Sequence, residues 1–350
     1  MGLYDEHVLE PFQEGLERLD KGIPIPMPKL AKFANYIERG QNVMIGGKQT
    51  SGKTSLMDYM YLINAFIWWE SLDKEDRPPL KIFYFNMRSS TRLKLQKWAC
   101  LYLKLKYDIV IDIPTLNNGI GKLYDVAEDK KRAIEVASLF FSNLEDILVL
   151  SQGPKTASDI YNSVARNMLT VGSIDNDGKF VLNQENSKQI TIVCIDNLDC
   201  VIPESDGSSS TTLESTKKRM SSYINKFKDM YNITTAAVVP SVLANPRTFK
   251  DSEPTYKELG SYSSIADLGF ITYNPYNEGN VRYLGYDVEE FIINAKNRMR
   301  TVTIVRNSKG VENITVASIF LGECGYFREL PTAEQTSQLD KFKELLHALD

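Results

Sequence analysis

The sequence has 350 residues, of which 43% are hydrophobic and 25% are charged. These fractions are typical of globular proteins and exclude a disordered, collagen-like or disulfide-stapled chain, while the length allows two domains or one enlarged domain. The formal charge of −4 excludes a uniformly basic nucleic-acid-binding protein, so any nucleic acid would be bound by a local patch.

The cysteine and histidine content argues against several classes of site. The four cysteines are spaced without a C-x-x-C pair, which favours a reduced, intracellular protein. The two histidines, His7 and His347, lie near the two ends of the sequence, which disfavours a histidine metal site or a Ser-His-Asp hydrolase. The N-terminus has no signal-like pattern, and no apolar run reaches about 18 residues. We therefore predict a cytoplasmic protein with no membrane contact.

In chain order, the sequence opens with a lead-in and then changes to an α/β pattern. Residues 1–38 combine an amphipathic helical stretch, 10–19, with the proline-rich segment 22–28, which cannot continue a helix. From Gln41 onward, short apolar runs alternate with longer helical patterns, which predicts a mainly parallel central sheet flanked by helices. The predicted strands are 42–46, 81–85, 147–150, 190–195, 235–239, 268–273 and 291–295.

Two further apolar runs and two polar insertions complete the pattern. Runs 302–305 and 314–320, separated by the Asn-Ser-Lys-Gly turn at 307–310, predict a C-terminal β-hairpin. Segment 173–188 has an Asp-Asn-Asp-Gly turn between weak strands and is interpreted as a surface hairpin. Segment 203–212, polar and rich in Ser, is interpreted either as a mobile functional loop or as a plain connection.

The segment 47–54, Gly-Lys-Gln-Thr-Ser-Gly-Lys-Thr, matches the phosphate-binding pattern G-x-x-x-x-G-K-[ST] between a predicted strand and a helical pattern. Glycine is needed where the loop wraps phosphate oxygens, and backbone N–H groups at the helix N-terminus attract the anion. Lys53 is predicted to reach the β/γ-phosphates and Thr54 to bind Mg²⁺. The predicted nucleotide-binding residues are Gly47, Lys48, Gln49, Thr50, Ser51, Gly52, Lys53, Thr54 and Ser55.

Asp196 is the predicted second magnesium ligand. The apolar run at 190–195 stops at this carboxylate, and in P-loop proteins an acid at the end of a neighbouring strand completes the Mg²⁺ site. The alternative is that Asp196 only forms a turn. Asp199 is a weaker second candidate, which alternatively begins the following loop.

The order of these elements resembles the ATPase domain of DnaB-type replicative helicases, on the RecA-like fold. The segments L-E-R-L-D-K-G-I-P and I-V-C-I-D-N-L-D are similar to the family's entry into the P-loop and its I-V-I-D-Y-L strand. F-K-D-M-Y-N-I-T-T-A-A-V-V looks like its next helix and strand. The ending I-I-N-A-K-N-R-M-R-T-V, followed by F-L-G-E-C-G-Y-F-R-E-L, is similar to its A-K-x-R strand and closing F-x-x-E-x-x-x-F-x-E-L pattern.

The resemblance covers residues 20–331 and implies a division of the chain. We expect a lead-in at 1–38, a RecA-like ATPase domain at 39–331 with surface insertions at about 105–145 and 173–188, and a helical tail at 332–350. It also implies ATP and Mg²⁺ as cofactors and a homo-hexamer with nucleotide at its subunit interfaces.

The resemblance further implies that Lys296 and Arg298 act in trans. In the family such a pair reaches the γ-phosphate bound by the neighbouring subunit, where a cation stabilises the transferring phosphoryl group. The guanidinium of Arg suits this role because it is always charged and can bind phosphate oxygens in pairs. Taken without the family, Lys-Asn-Arg at a strand end is a solvated turn. The predicted catalytic residues are Lys53, Asp196, Lys296 and Arg298.

Two departures from the family bear on hydrolysis. The family places a catalytic glutamate after its second strand, in a pattern like F-F-S-L-E-M, whereas the segment 83–90 here is F-Y-F-N-M-R-S-S and has no acid. Asp199 is the nearest candidate replacement in the sequence. The family's Ser-Gln-Leu-Asn-Arg motif is replaced by V-P-S-V-L-A-N-P-R, in which Ser241 and Asn245 are the candidate substitutes.

Single-stranded DNA is the expected partner, contacted by loops facing a ring channel. The alternative for the basic run at 217–219 is a solvated helix face. The basic segment 88–106 is not assigned to DNA, since its apolar residues Leu93, Trp98, Leu101 and Leu103 predict a core helix. The candidate DNA-binding residues are Lys217, Lys218, Arg219, Arg247 and Lys250.

These features together predict an ATP-dependent replicative DNA helicase motor that couples hydrolysis to translocation on single-stranded DNA. A primase or a helicase loader is a candidate partner, and a phage-encoded chain would act in the host cytoplasm. The alternative is a nucleotide-binding, catalytically weak structural or regulatory subunit of a DNA replication or packaging assembly. A recombinase-type RecA relative is less favoured, since the terminal K-x-R hairpin fits the helicase branch better.

Overall fold

The computed structural model describes residues 22–117, 140–176, 178–204, 212–240, 254–293 and 295–347. Several sequence-based predictions lie outside these residues: the helix at 10–19, most of the loop at 203–212, and the candidates Ser241, Asn245, Arg247 and Lys250. Among the described residues, no helix is long and apolar enough to cross a lipid bilayer.

The strands and helices alternate along most of the chain. The strands are β1 (Ile23–Pro24), β2 (Tyr36–Ile37), β3 (Asn42–Gly47), β4 (Leu80–Asn86), β5 (Leu148–Gln152), β6 (Gly172–Ile174), β7 (Phe180–Leu182), β8 (Ile190–Asp196), β9 (Thr234–Val238), β10 (Leu268–Tyr273), β11 (Arg282–Tyr283), β12 (Tyr286–Asp287), β13 (Ile292–Ile293), β14 (Lys296–Asn297), β15 (Met299–Asn307), β16 (Ile314–Leu321) and β17 (Tyr326–Glu329).

Helices cover both faces of the sheet that these strands form. The helices are α1 (Pro28–Ala34), α2 (Lys53–Met57, continued by a π-helical stretch Asp58–Ile63 and by Asn64–Ser71), α3 (Thr91–Tyr107), α4 (Ile113–Asn117), α5 (Ala157–Val171), α6 (Leu213–Tyr231) and α7 (Thr336–His347). Residues 140–145 are also helical. Short 3₁₀ turns occur at Gln184–Asn186, Leu198–Cys200, Tyr256–Tyr262 and Glu289–Phe291.

The main sheet, within the described residues, has the strand order β17-β16-β15-β10-β3-β9-β8-β4-β5. The neighbours from β10 to β5 are all parallel, whereas β15, β16 and β17 are antiparallel. The predicted α/β class, with a mainly parallel sheet and a C-terminal hairpin, is confirmed. The predicted strands that correspond to β3, β4, β5, β8, β9 and β10 are present.

The predicted strand at 291–295 is reduced to Ile292–Ile293, which lies outside the main sheet. Residues Glu289–Phe291 form a 3₁₀ turn, and Ile292–Ile293 pairs with Lys296–Asn297 in a small separate hairpin. Ala295 has a φ of 58°, a left-handed conformation that turns the chain and shortens the strand. This turn brings Lys296 and the residues after it to the start of β15.

The core consists of two apolar layers, one on each face of the sheet. Along β4 the side chains alternate, so that Ile82 and Tyr84 enter one layer while Phe83 and Phe85 enter the other. Helices α2 and α3 cover the first layer, and α5 and α6 cover the second. Parallel strands covered on both faces leave their carboxyl ends open as the natural binding edge.

Candidate nucleotide site

The predicted phosphate-binding loop joins the end of β3 to the first turn of α2. Gly47 has a φ of 143° and Gly52 a φ of 98°, and both conformations favour glycine. A Cβ at Gly47 would lie 2.4 Å from the carbonyl oxygen of Thr272, and one at Gly52 would lie 2.7 Å from Cζ of Phe327. A side chain at Gly47 would have to displace the backbone of Thr272, and one at Gly52 would have to displace the ring of Phe327.

Lys53 and Ser51 are held by the loop itself. The ammonium of Lys53 donates hydrogen bonds to the carbonyl oxygens of Gly47 at 2.7 Å and Lys48 at 3.2 Å. Ser51 is buried, with its hydroxyl 2.6 Å from that of Thr272 in β10. Burial lowers the pKa of Lys53, and the neighbouring Arg88 lowers that pKa further. The ammonium thus lies in the loop, where an anionic phosphate would favour its charged form.

The structure brings together Thr54 and Asp196, the two residues that the sequence predicts as Mg²⁺ ligands. The Thr54 hydroxyl donates to Oδ1 of Asp196 at 2.8 Å, although the residues are 142 positions apart in the sequence. Asp196 ends β8 beside the loop because β8 and β3 both pair in parallel with β9. A hydroxyl and a carboxylate are hard oxygen donors, which fit Mg²⁺ held together with nucleotide phosphates.

A cavity of about 390 Å³ lies above the loop. Most of the predicted nucleotide-binding residues line it, with the exception of Gly47 and the buried Ser51. Among the described residues that line this cavity, Asp196 is the sole carboxylate. The four basic residues that line it are Lys48, Lys53, Arg88 and Lys97. Lys48 pairs with Glu278 at 2.5 Å, but Lys53, Arg88 and Lys97 still outnumber the single carboxylate of the lining. This surplus of positive charge favours a polyanionic ligand.

The segment after β4 carries no acid into this cavity. Asn86 lies beside Asp196 in the sheet register, and its side chain is engaged with the backbone of Ser89, accepting from N–H at 3.1 Å and donating to the carbonyl at 2.7 Å. Arg88 is exposed and donates through Nε to Sγ of Cys200 at 3.2 Å. Asp199 lines a different cavity, together with Lys217 and Glu214 among others.

Sequence reasoning missed Lys94 in α3, which contacts the other side of Asp196. Its ammonium lies 2.9 Å from Oδ2 of Asp196 and 3.0 Å from Oδ2 of Asp58. Burial alone would lower the pKa of Lys94, but the two carboxylates raise it, so the buried ammonium is charged. The predicted core residue Leu93 is instead 39% exposed. The only feature of the sequence that pointed to Lys94 was its position next to Leu93 in a helix predicted to pack against the core.

Lys296 and Arg298 lie near the site and are both paired with Glu323. Arg298 binds the carboxylate through both terminal nitrogens, at 2.7 and 3.1 Å, and the Lys296 ammonium is 3.1 Å away. The Arg298 side chain is 11% exposed, whereas that of Lys296 is 67% exposed. These three residues line a second cavity, which shares Lys97 and other lining residues with the first.

Burial alone would raise the pKa of Glu323, but hydrogen bonds from Arg298, the backbone and Lys296, together with the charge of Arg298, lower it to about 2. Because the pKa of Glu323 is lower in the folded chain than its ordinary value of 4.5, the ionised carboxylate stabilises the folded state at pH values above 4.5. This stabilisation is lost as the pH falls towards 2. Glu323→Gln is therefore expected to lower the free energy of unfolding at pH 7 by about 1–2 kcal/mol. Urea denaturation at a series of pH values measures this difference.

The difference between Glu323→Gln and the unmodified chain should shrink as the pH falls from 4.5 to about 2. Glu214→Gln serves as the control, because Glu214 pairs with Lys218 at a surface where both side chains are more than three-quarters exposed. An exposed pair contributes about 0–1 kcal/mol. A difference for Glu323→Gln that stays constant down to pH 2 would contradict the assigned ion pairs.

The described candidates for DNA contact lie in the first turns of α6. Lys218 pairs with Glu214 at 3.0 Å, and Arg219 pairs with Glu204. Lys217 lines the cavity that contains Asp199. The acidic partners offset part of this positive charge.

Comparison with solved structures identifies the same fold in helicase domains. A structure described as the ATPase domain of G40P aligns with a TM-score of 0.64 at 17% identity, covering 95% of this chain and 100% of that chain. A structure of a DnaB-like replicative helicase and its interactions with primase aligns with a TM-score of 0.64 at 15% identity, covering 95% of this chain and 68% of that chain. No protein-family model and no curated protein matches the sequence. The resemblance inferred from the sequence is confirmed at the level of fold: the chain has the RecA-like α/β fold of DnaB-like replicative helicase ATPase domains.

Proposed function

We propose that the chain is an ATP-dependent DNA helicase motor that couples ATP hydrolysis to movement along single-stranded DNA. One observation carries the proposal. Lys53, Thr54 and Asp196 converge at the carboxyl edge of a parallel sheet, in a cavity whose lining has four basic residues and one carboxylate among the described residues. This arrangement suits a magnesium-bound nucleoside triphosphate.

Different groups of the loop would bind different parts of the magnesium-bound nucleotide. Backbone N–H groups at the start of α2 would bind the β-phosphate oxygens, and Lys53 would exchange its contacts with the loop carbonyls for the phosphates. Thr54 and Asp196 would hold Mg²⁺, which neutralises charge on the phosphates when it is bound. Arg88 and Lys97, which are both exposed, also line the cavity and add positive charge to it.

The proposal includes a homo-hexamer in which Lys296 and Arg298 serve the nucleotide of the neighbouring subunit. Lys296 is well exposed, and Arg298 could reach a phosphate by leaving Glu323. An anionic phosphate and the carboxylate of Glu323 would compete for the same guanidinium, so release from Glu323 is part of the proposed catalytic cycle. A primase or a helicase loader is proposed as a partner, since one similar structure is a helicase studied with primase.

The proposed path of single-stranded DNA follows the loops at the ends of β8 and β9. Lys217, Lys218 and Arg219 stand at the start of α6, and Arg247 and Lys250 follow β9 in the sequence. A few cations in each subunit would be multiplied around a ring, which reconciles DNA binding with a formal charge of −4. Binding of this kind weakens steeply with salt.

The rate of ATP hydrolysis with and without single-stranded DNA tests this proposal. We expect phosphate release that depends on Mg²⁺ and rises several-fold when an oligonucleotide is added at low salt. The stimulation should fall when Lys217, Lys218 and Arg219 are all changed to Ala, while ATP binding is unchanged. ATP binding without any hydrolysis, in the presence or absence of DNA, would reject the motor.

The second candidate function is a nucleotide-binding subunit with weak catalysis in a DNA replication or packaging assembly. Asp196 is the sole carboxylate among the described residues lining the cavity, and Arg88 extends from the segment where the helicase family has its catalytic glutamate. Loss of a general base costs roughly 10²–10⁴-fold in rate. Single-turnover hydrolysis distinguishes the two functions, because a binding subunit would retain intact ATP over many minutes.

A further inference from the structure

A buried network of charges lies directly beneath the proposed magnesium site. The ammonium of Lys94 contacts Asp196 at 2.9 Å and Asp58 at 3.0 Å, and these three side chains are between 2% and 5% exposed. The Tyr84 hydroxyl donates to Oδ1 of Asp58 at 2.6 Å. The Lys94 ammonium also lies 4.9 Å from the ring centroid of Tyr84. The network thus links the first π-helical turn of α2, strand β4, α3 and the end of β8.

The two oxygens of Asp196 have separate partners. Oδ1 accepts from Thr54 on the side of the nucleotide loop, and Oδ2 binds Lys94 on the side of the core. The carboxylate is therefore fixed in orientation, with one oxygen directed towards the proposed metal position. Lys94 also places a full positive charge beside this carboxylate, which by itself would weaken attraction for a cation.

Asp58 offsets that positive charge. If Asp58 were absent, the positive charge of Lys94 would be balanced by the carboxylate of Asp196. Asp58 supplies a second carboxylate at a similar distance from the ammonium. The trio of Asp58, Lys94 and Asp196 has a net charge of −1 when all three are ionised. Burial raises the pKa of the Asp58 carboxyl, whereas Lys94 and the hydrogen bond from Tyr84 oppose that rise and favour the ionised form. With Asp58 ionised, the net negative charge of the trio attracts a divalent cation next to Thr54.

We infer that Asp58, as the counter-charge of Lys94 beside Asp196, sets the affinity of the site for magnesium-bound nucleotide. The inference rests on the proposed nucleotide site. It concerns residues of α2 and α3 that face the core side of Asp196 and do not line the cavity.

The Asp58→Asn change tests the inference. It keeps the shape of the side chain and an oxygen for the Tyr84 hydroxyl, but it removes one negative charge and leaves Lys94 with Asp196 as its remaining carboxylate partner within the network. The site becomes more positive, so magnesium-bound ATP should bind more weakly, while ATP without metal should bind as well as before or better. The measured quantity is the magnesium ratio, defined as the Kd for ATP in EDTA divided by the Kd in Mg²⁺.

Isothermal titration calorimetry with ATP, in Mg²⁺ and in EDTA, gives this ratio for each variant. We expect Asp58→Asn to lower the magnesium ratio by about threefold to tenfold. The double variant Asp58→Asn, Lys94→Met removes one charge of each sign and should return the ratio to within about twofold of the unmodified chain. The double variant also avoids leaving a buried charge without a partner, which would otherwise threaten folding.

Lys104→Met is the matched control, since Lys104 is a second buried lysine of α3 that pairs with Asp108 and not with Asp196. Its magnesium ratio should equal that of the unmodified chain. Equal ratios for Asp58→Asn and the unmodified chain, with ATP still bound and the thermal unfolding cooperative, would overturn the inference and leave the nucleotide site in place. A failure of the unmodified chain to bind ATP would overturn the proposed function and this inference with it.

Discussion

Lys53→Ala is expected to weaken the binding of magnesium-bound ATP by roughly 10–100-fold and to abolish hydrolysis. The ammonium of Lys53 is held within the phosphate-binding loop by two carbonyl oxygens, so little ordering is needed before it contacts phosphate. A hydrogen bond to a charged group contributes about 1.5–3 kcal/mol, and each 1.4 kcal/mol is about tenfold in Kd. Isothermal titration calorimetry measures ATP binding, and an assay of phosphate release measures hydrolysis.

Lys188→Ala is the control for this change, because Lys188 is an exposed lysine that precedes β8 at the opposite edge of the sheet from Asp196. We expect its Kd for ATP to match that of the unmodified chain. Thermal unfolding should be cooperative in both variants. If Lys53→Ala bound magnesium-bound ATP as tightly as Lys188→Ala, the loop at 47–54 would not be the nucleotide site.

Arg298→Ala is expected to reduce ATP hydrolysis by about 10³-fold or more while changing the Kd for ATP little. An arginine supplied by a neighbouring subunit stabilises the charge of the transferring phosphoryl group and contributes roughly 10³–10⁵ in rate. Binding of the nucleotide depends on the loop and on Thr54 and Asp196, which Arg298 does not contact among its hydrogen bonds and ion pairs in this structure. Steady-state hydrolysis and calorimetry separate the two effects.

Mixing subunits distinguishes action in trans from action in cis. An Arg298→Ala subunit has an intact loop and a Lys53→Ala subunit has an intact arginine, so a mixed interface can combine both intact parts. We expect the mixture to recover part of the hydrolysis that each variant alone has lost. Arg306→Ala, at the other end of β15, removes an arginine that pairs with Glu312 and should keep full activity. Absence of recovery in demonstrably mixed oligomers would contradict action in trans.

The parallel strands could be predicted because a strand that is buried on both faces is a nearly continuous apolar run in the sequence. Every residue of β8 is buried, and its sequence is an uninterrupted apolar run until Asp196, apart from one threonine. The hairpin of β15 and β16 was equally readable from its turn residues. The run at 291–295 is also mostly apolar, but Ala295 turns the chain with a positive φ. Composition does not reveal such a turn.

The phosphate-binding loop could be predicted because its residues are contiguous in the sequence and because its Gly, Lys and Thr positions have known roles in binding phosphate and Mg²⁺. Lys94 could not, because helical periodicity does not decide which of two adjacent residues, Leu93 or Lys94, faces the core. Lys94 is buried because Asp58 and Asp196 meet at that point, and these residues are separated by more than a hundred positions in the sequence. Only the folded chain reveals their proximity.

The pairing of Arg298 with Glu323 was equally hidden. The sequence identified the arginine by its resemblance to a family pattern, but the ion pair depends on β15 and β16 lying antiparallel, so that the end of β16 lies beside the start of β15. The carboxylate that holds Arg298 in this structure is therefore a consequence of hairpin register. It gives the proposed action in trans a definite first step, which is the release of the guanidinium from Glu323.

Strand displacement tests most directly whether nucleotide bound at the loop drives movement along DNA. The substrate is a duplex with a single-stranded tail and a fluorescent label on the displaced strand. We expect the unmodified chain to displace the strand only when both ATP and Mg²⁺ are present, and we expect no displacement by Lys53→Ala. Tight binding of ATP by the unmodified chain, with no displacement from either a 5′-tailed or a 3′-tailed duplex, would contradict a motor function.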